Sequence, residues 1–210
     1  MCSVFPLIIV IAYLSPVNEQ QRYMQRPKIY ASDVSNLSDA RYFAAMGVDL
    51  IGFELSEQTD VQKIAEIISW VEGPAIAVEI TEDSWTPKVL EGIDVLKPAY
   101  LVLPIYWNDI PHFGEKEVLT KKYMDEVAEE DAAIIRICDV SLASLSEAQL
   151  AALKSEQNVY LEAAWTGDDV DFAVTHFPKL GMVIRGGEEE APGIKSFDEL
   201  DEFFERVESF

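Results

Sequence analysis

The stretch KIYASDVSNLSDARYFAAMGVDLIGFEL, residues 28–55, contains one complete strand–helix–strand repeat. A strand pattern at 28–32 precedes a helical pattern at 37–46, and a second strand pattern follows at 50–55. Asn36 with Asp39 can cap the helix at its start, and Gly47 can end it. Strands that alternate with helices in this way predict a parallel sheet with crossover helices.

The same alternation continues toward the C-terminus. We predict strands at 28–32, 50–55, 75–81, 100–105, 117–121, 133–139, 159–164 and 182–186. Helical patterns lie at 37–46, 61–71, 87–96, 145–154, 168–177 and 197–207. Eight strands with intervening helices predict an α/β fold of the (β/α)8 TIM barrel type.

The middle of the chain departs from this regularity. Residues 106–116 leave little room for a crossover helix, which takes a dozen or more residues. We therefore predict a barrel that is abbreviated around its fourth βα unit, or else a miscounted strand at 117–121. The aromatic residues of this loop, Tyr106, Trp107 and Phe113, either cover a pocket or fill the space of the absent helix, and the second interpretation is favoured.

Composition excludes several classes of function. The 210 residues, 49% of them hydrophobic, suit one domain, and the formal net charge is −22 from 38 acidic and 16 basic residues. This charge repels phosphate backbones and anionic lipid, so we expect no nucleic-acid partner and no membrane partner. An anionic small molecule would require a locally basic pocket.

Cysteine and histidine are too few for a structural framework. Cys2 and Cys138 form neither a disulfide framework nor a zinc-ligand set, and His112 and His176 share no metal-binding spacing. We therefore expect no metal, no cofactor and a location in the reducing cytoplasm.

The apolar run VFPLIIVIAYL at 4–14 is too short to span a bilayer and lacks the flanks of a signal peptide. Met24 lies just before the first predicted strand. We interpret residues 1–23 as an extension outside the fold, with a mis-assigned start as its origin. Residues 24–210 then form a single barrel.

Two blocks of sequence carry a family resemblance. They are residues 28–55, quoted above, and GMVIRGGEEEAPGIKSFDELDEFF, residues 181–204. Both resemble phosphoribosylanthranilate isomerase, the first in its opening βαβ unit and the second in its last strand, phosphate loop and final helix. The matching positions are Lys28, Ile29, Asp39, Ala40, Gly47, Asp49, Ile51, Gly52, Phe53, Gly187, Glu189, Pro192, Gly193 and Lys195.

The resemblance implies an Amadori rearrangement in tryptophan biosynthesis, an aldose–ketose isomerisation. It needs a general base, a cysteine in the family, and a general acid, an aspartate. Tyr30 stands at the base position, where a phenol is a poor base, and Asp33 is a candidate substitute. Asp139 is the candidate acid, or else an ordinary loop carboxylate. Nothing near Cys138 favours its use as the base.

The family's binding groups are only partly present. Its arginine for the anthranilate carboxylate has no counterpart at 56–60, which reads SEQTD. Its glycines after strand seven are replaced by Ala163-Ala164-Trp165. After strand eight, Arg185, Gly186 and Gly187 can either hold a phosphate or simply form a tight turn.

Charged residues also occur in the predicted barrel strands, where they are costly unless paired. They are Glu54, Glu79, Arg136, Glu162 and Arg185. We interpret them as an internal ion-pair network. The alternative is a new ligand or proton-transfer site that uses Glu79 or Glu162, with Arg136 and Arg185 as ligand-binding cations.

The sequence therefore leaves two main hypotheses open. The first is an active phosphoribosylanthranilate isomerase that uses Asp139 as the acid and Asp33 or Tyr30 as the base. The second is a non-catalytic or repurposed barrel that binds a small ligand, for which a phosphorylated one is an option. A different isomerase or lyase that uses the strand-end glutamates is a third. We expect a monomer or a homodimer in each case.

Overall fold

The computed structural model describes residues 26–81, 85–104, 113, 114, 116–126, 133–155, 158–186 and 196–209. Eight parallel strands follow one another in sequence order and close into a barrel, in which β1 pairs with both β2 and β8. They are β1 (Ile29–Ser32), β2 (Leu50–Leu55), β3 (Ala75–Ile80), β4 (Tyr100–Leu103), β5 (Glu117–Tyr123), β6 (Ala133–Cys138), β7 (Val159–Ala163) and β8 (Gly181–Arg185). The predicted barrel is confirmed, including the strand that begins at residue 117.

Six α-helices surround the barrel in the part of the chain that the structure describes. They are α1 (Leu37–Ala45), α2 (Val61–Ile68), α3 (Pro87–Leu96), α4 (Glu147–Ser155), α5 (Gly167–His176) and α6 (Asp198–Glu208). The cap predicted for α1 is present, because the Asn36 side chain accepts a hydrogen bond of 2.9 Å from the Asp39 backbone N–H. Gly47 follows with a φ of 68°, a conformation that favours glycine.

The start of α5 is fixed by a buried carboxylate. Asp169, only 3% exposed, accepts hydrogen bonds from the hydroxyls of Ser141 at 2.7 Å and Thr166 at 2.6 Å. It also accepts one from the Leu142 backbone N–H at 2.8 Å. Burial raises the pKa of Asp169, but these hydrogen bonds outweigh burial and lower it below its usual value. Asp169 therefore ties the loop after β6 to α5.

The described residues that flank β5 contain no crossover helix. Among the described residues, none between β4 and β5 or between β5 and β6 is helical, which fits the predicted abbreviation. Phe113 packs against the core between strands and helices, with its ring 4.7 Å from that of Trp85. This packing is compatible with the prediction that Phe113 fills the space of an absent helix. Tyr106 and Trp107 lie outside the described residues.

Two apolar layers stabilise the barrel. The larger one lies between the strands and the helices. The smaller one fills the barrel interior with one buried side chain from each strand, namely Tyr30, Leu50, Ala77, Val102, Leu119, Ile135, Tyr160 and Val183. This interior is a packed core rather than a pore.

No helix in the described part of the chain is both long enough and apolar enough to cross a membrane. The extension proposed for residues 1–23 lies outside the described residues, so the domain boundary at residue 24 stays a prediction.

Candidate functional site at the barrel mouth

A layer of polar side chains lies above the apolar interior, at the mouth. Glu79, Lys121 and Glu162 come from β3, β5 and β7, alternate strands of the kind that share a side-chain layer in such barrels, and the Tyr30 hydroxyl of β1 reaches them from the interior layer below. The Tyr30 hydroxyl donates a hydrogen bond of 2.7 Å to Glu79. Lys121 Nζ lies 3.3 Å from Glu79 and 3.2 Å from Glu162, and Arg185 contacts the second oxygen of Glu162. We call these five residues the ionic layer.

The ionic layer is mostly screened from water. The side chains of Glu79, Lys121 and Glu162 are 11%, 18% and 14% exposed. Two carboxylates face two cations, so the layer is formally neutral. Charges at this depth are tolerated because each has a partner of opposite sign, and removal of one partner is expected to be costly.

Tyr30 acts as a donor within this layer. Its side chain is fully buried, and its ring packs edge-on against Tyr160 at 6.3 Å. Burial and the neighbouring carboxylate of Glu79 raise the pKa of Tyr30 well above its usual value. Gly52 leaves room for the hydroxyl, since a Cβ atom there would lie 2.2 Å from the Tyr30 oxygen.

Asp33 lies at the rim, directly after β1. Its backbone N–H donates a hydrogen bond of 3.0 Å to the Glu79 oxygen that Tyr30 also contacts. The residue has a φ of 55°, a left-handed conformation that aspartate tolerates better than most residues. The described contact of Asp33 with the ionic layer is thus made by its backbone, while its side chain is exposed.

A cavity of about 940 Å³ opens beside the ionic layer. It lies between the carboxyl ends of β6, β7 and β8 and the first turn of α6. Its polar lining consists of Asp139, Glu162, Arg185, Ser196, Asp198 and Glu199. The structure therefore brings Asp139, Glu162 and Arg185 to one cavity, although they are far apart in sequence.

Trp165 forms the aromatic wall of the cavity. Its indole N–H donates a hydrogen bond of 2.8 Å to the backbone carbonyl of Val183, and its ring lies 6.3 Å from that of Phe203. The registered pairing of β7 with β8 ends at Glu162 and Val183. Trp165 thus satisfies the backbone carbonyl of the last β8 residue in this pairing. It does so where the family resemblance implies a glycine loop.

Arg185 is the cation that faces this cavity. Its side chain is 56% exposed although Glu162 holds one of its nitrogens. Burial lowers the pKa of Arg185, but the carboxylate of Glu162 outweighs burial and raises it. The guanidinium is permanently charged and retains donors for a second anion. Gly186 follows it directly, and Gly187 lies outside the described residues.

Arg136 and Glu54 do not join the ionic layer. Arg136 is 3% exposed and faces the helix side of β6, where it donates to the backbone carbonyls of Tyr123 at 2.9 Å and Glu126 at 2.7 Å. The structure thus does not bring Arg136 to the mouth. Glu54 lies exposed at the mouth and accepts a hydrogen bond of 3.1 Å from Thr81.

Lys121 is the central member of the layer that sequence analysis missed. It ends the predicted strand 117–121 and shares a strand face with the interior residue Leu119. That pattern was a usable signal, but it depended on the strand at 117–121.

Cys138 is buried and donates to the Val140 carbonyl, and burial raises the pKa of its thiol. The described residues contain no group of histidine, cysteine, aspartate and glutamate side chains that could hold a metal ion.

Sequence comparison yields no match, either to a protein family model or to a curated protein. Solved structures do match. TrpF from Jonesia denitrificans aligns with a TM-score of 0.66 and 15% identity over 86% of this chain and 96% of its own. The phosphoribosylanthranilate isomerase of Thermus thermophilus aligns with a TM-score of 0.65 and 17% identity over 87% of this chain and 98% of its own. The chain has the fold of the phosphoribosylanthranilate isomerases.

Another of these isomerases was solved in complex with reduced 1-(o-carboxyphenylamino)-1-deoxyribulose 5-phosphate. It aligns with a TM-score of 0.65 and 15% identity over 88% of this chain and all of its own. The shared fold extends over nearly the whole length of each isomerase. At this level of identity the likeness establishes the barrel and its strand order, and the chemistry has to be argued from the residues at the mouth.

Proposed function

We propose that this chain is a divergent member of the phosphoribosylanthranilate isomerase family that does not carry out the family's rearrangement. In this proposal it binds a small, phosphorylated ligand in the mouth cavity. The observation that carries the proposal is the state of Tyr30, which stands where the resemblance implies a base. A fully buried phenol with a raised pKa, held by Glu79, donates a hydrogen bond and does not accept a proton at neutral pH.

The substrate-carboxylate site supports the same conclusion. The chain contains no arginine between Arg41 and Arg136, so the loop after β2 offers no guanidinium. Polar side chains of that loop form local hydrogen bonds with the loop backbone and the following helix. Thr59 accepts a hydrogen bond of 2.9 Å from the Ser56 N–H, and Asp60 caps α2. A carboxylate clamp of the kind that the family uses therefore has no counterpart in this loop.

The cavity lining carries one cation, Arg185, and four carboxylates, Asp139, Glu162, Asp198 and Glu199, so the anionic end of a ligand would bind at Arg185 and its hydroxyl groups at the carboxylates. Arg185 and Gly186 at the end of β8 provide a cation and a backbone for a phosphate. The carboxylates of Asp139 and Glu199 on the same lining are acceptors for hydroxyl donors. Trp165 adds an aromatic surface to the same lining. A small phosphorylated polyol combines these features.

Complementation tests the loss of the isomerase reaction. A tryptophan auxotroph that lacks the isomerase is transformed with this chain, with a functional family isomerase as the positive control. We expect growth only with the control. Growth that is supported by the wild-type chain and abolished by Asp139→Asn would refute the proposal and establish the isomerase hypothesis.

Ligand binding is tested separately by calorimetric titration with ribose 5-phosphate, and with ribose as the matched ligand without phosphate. We expect binding of the phosphorylated sugar alone, and its loss in Arg185→Gln. Equal binding of both sugars, or binding that survives Arg185→Gln, would contradict a phosphate site at the end of β8.

A further inference from the structure

Glu162 lies between two cations at the edge of the cavity. One of its carboxylate oxygens contacts Arg185, and the other lies 3.2 Å from Lys121 Nζ. The oxygen on the Lys121 side is buried and makes no hydrogen bond among the described residues. Glu162 lines the cavity together with Arg185. The Glu162 carboxylate is therefore already paired with Arg185, the cation that binds the ligand in the proposed function.

We propose that Glu162 is a specificity-determining residue, an internal competitor that a ligand anion must displace from Arg185. This inference rests on the proposed function, because it concerns the same phosphate site. A phosphate dianion and a carboxylate can each bind a guanidinium with two parallel hydrogen bonds, but the phosphate carries more charge. Such a ligand can replace Glu162, whereas a singly charged anion competes poorly. The mouth thereby selects phosphorylated ligands over carboxylates.

The surroundings make displacement feasible. Arg185 is 56% exposed, so its guanidinium can turn toward the cavity without crossing the barrel core. Glu162 keeps Lys121 as its partner after Arg185 departs, and its charge does not become isolated. Lys121 is in turn shared with Glu79. After the layer releases Arg185 to a ligand, Lys121 is the cation that Glu79 and Glu162 share.

The test is a calorimetric titration of the full chain with inorganic phosphate. Glu162→Gln preserves the shape of the side chain and removes the competing charge, so we expect phosphate affinity to rise about tenfold or more. Glu54→Gln is the matched control, because Glu54 also lies at the mouth but contacts Thr81 instead of Arg185. We expect this control to change the affinity by less than about threefold, as a general effect of one negative charge.

Glu162→Ala provides a second removal of the carboxylate, and circular dichroism verifies that each variant is folded. Tighter binding in both Glu162 variants but not in Glu54→Gln supports the inference. Equal gains in Glu162→Gln and Glu54→Gln would overturn it in favour of bulk charge.

Phosphate binding that needs Arg185 but is indifferent to Glu162 would overturn the inference alone and leave the proposed phosphate site intact. An absence of phosphate binding in the wild type and in both Glu162 variants would overturn both.

Discussion

Lys121→Met is the most informative perturbation of the ionic layer. Lys121 Nζ lies 3.3 Å from Glu79 and 3.2 Å from Glu162, and all three side chains are less than one-fifth exposed. At an effective dielectric constant near 20, each contact corresponds to about 5 kcal/mol of Coulomb attraction, most of which offsets desolvation. Removal of one partner from such a buried group typically costs about 3–5 kcal/mol. We expect a loss of stability in this range, because methionine fills the space but leaves two carboxylates without their shared cation.

The assay is urea unfolding followed by circular dichroism, with a thermal melt as a second measurement. For a protein of this size the loss corresponds to a fall in Tm on the order of 10 °C. Lys122→Met is the matched control, since the adjacent residue on β5 points away from the barrel interior. We expect that control to change stability by less than about 1 kcal/mol. The double variant Glu79→Gln/Lys121→Met should lose less than the sum of its single changes, because the two sites are in contact.

A Lys121→Met variant that is no less stable than Lys122→Met would refute the reasoning. It would mean that the attraction within the ionic layer only balances the desolvation of its members.

Three further predictions concern single contacts. Gly52→Ala should destabilise the fold by about 2–4 kcal/mol in urea unfolding, because the new Cβ would lie 2.2 Å from the Tyr30 oxygen. Tyr30→Phe should reduce the free energy of unfolding by about 1–2 kcal/mol, since Glu79 loses a buried donor. When tyrosine ionisation is followed by absorbance to pH 12, the wild type and this variant should ionise the same number of tyrosines, because the Tyr30 hydroxyl stays protonated. Asp169→Asn should destabilise the fold by about 1–3 kcal/mol at pH 7. The stability difference between the wild type and Asp169→Asn should shrink as the pH falls below about 4. The pKa of Asp169 is lower in the folded protein than in the unfolded chain, so its carboxylate stabilises the fold fully above the unfolded pKa. That stabilisation is lost as the pH falls through the folded pKa.

Each of these has a contrary outcome. A Gly52→Ala variant as stable as the wild type would show that the Tyr30 ring can move without cost. A wild type that ionises one more tyrosine than Tyr30→Phe below pH 12 would contradict the protected hydroxyl. A stability difference for Asp169→Asn that is constant from pH 7 to pH 3 would contradict the depressed pKa.

The strands and caps were accessible from sequence because they depend on local patterns. Alternation of strand and helix signals gave all eight strands, and the Asn36 cap follows from residues three positions apart. The abbreviated connection around β4 was likewise evident from its length. Two elements, 50–55 and 87–96, have the predicted bounds, and the ends of the others differ by at most three residues, because the ends of helices and strands fray.

The arrangement of residues at the barrel mouth could be predicted only in part from the sequence. Charges in the predicted strands indicated that Glu79, Glu162 and Arg185 would need partners, and those three do lie together. The same argument misplaced Arg136, because one residue of register decides whether a side chain enters the barrel or faces the helices. It also missed Lys121, which pairs with residues on β3 and β7 that are about 40 positions away on either side.

The sequence by itself determined the repeating βα units, their order and the altered residues at the positions that the family resemblance marks. Barrel closure decided the rest, because it brings β1 beside β8 and gathers the side chains of alternate strands into one layer. The electrostatic state of Tyr30, Glu79 and Glu162 is a property of that layer. Burial and distance set it, and neither quantity exists until the strands have closed.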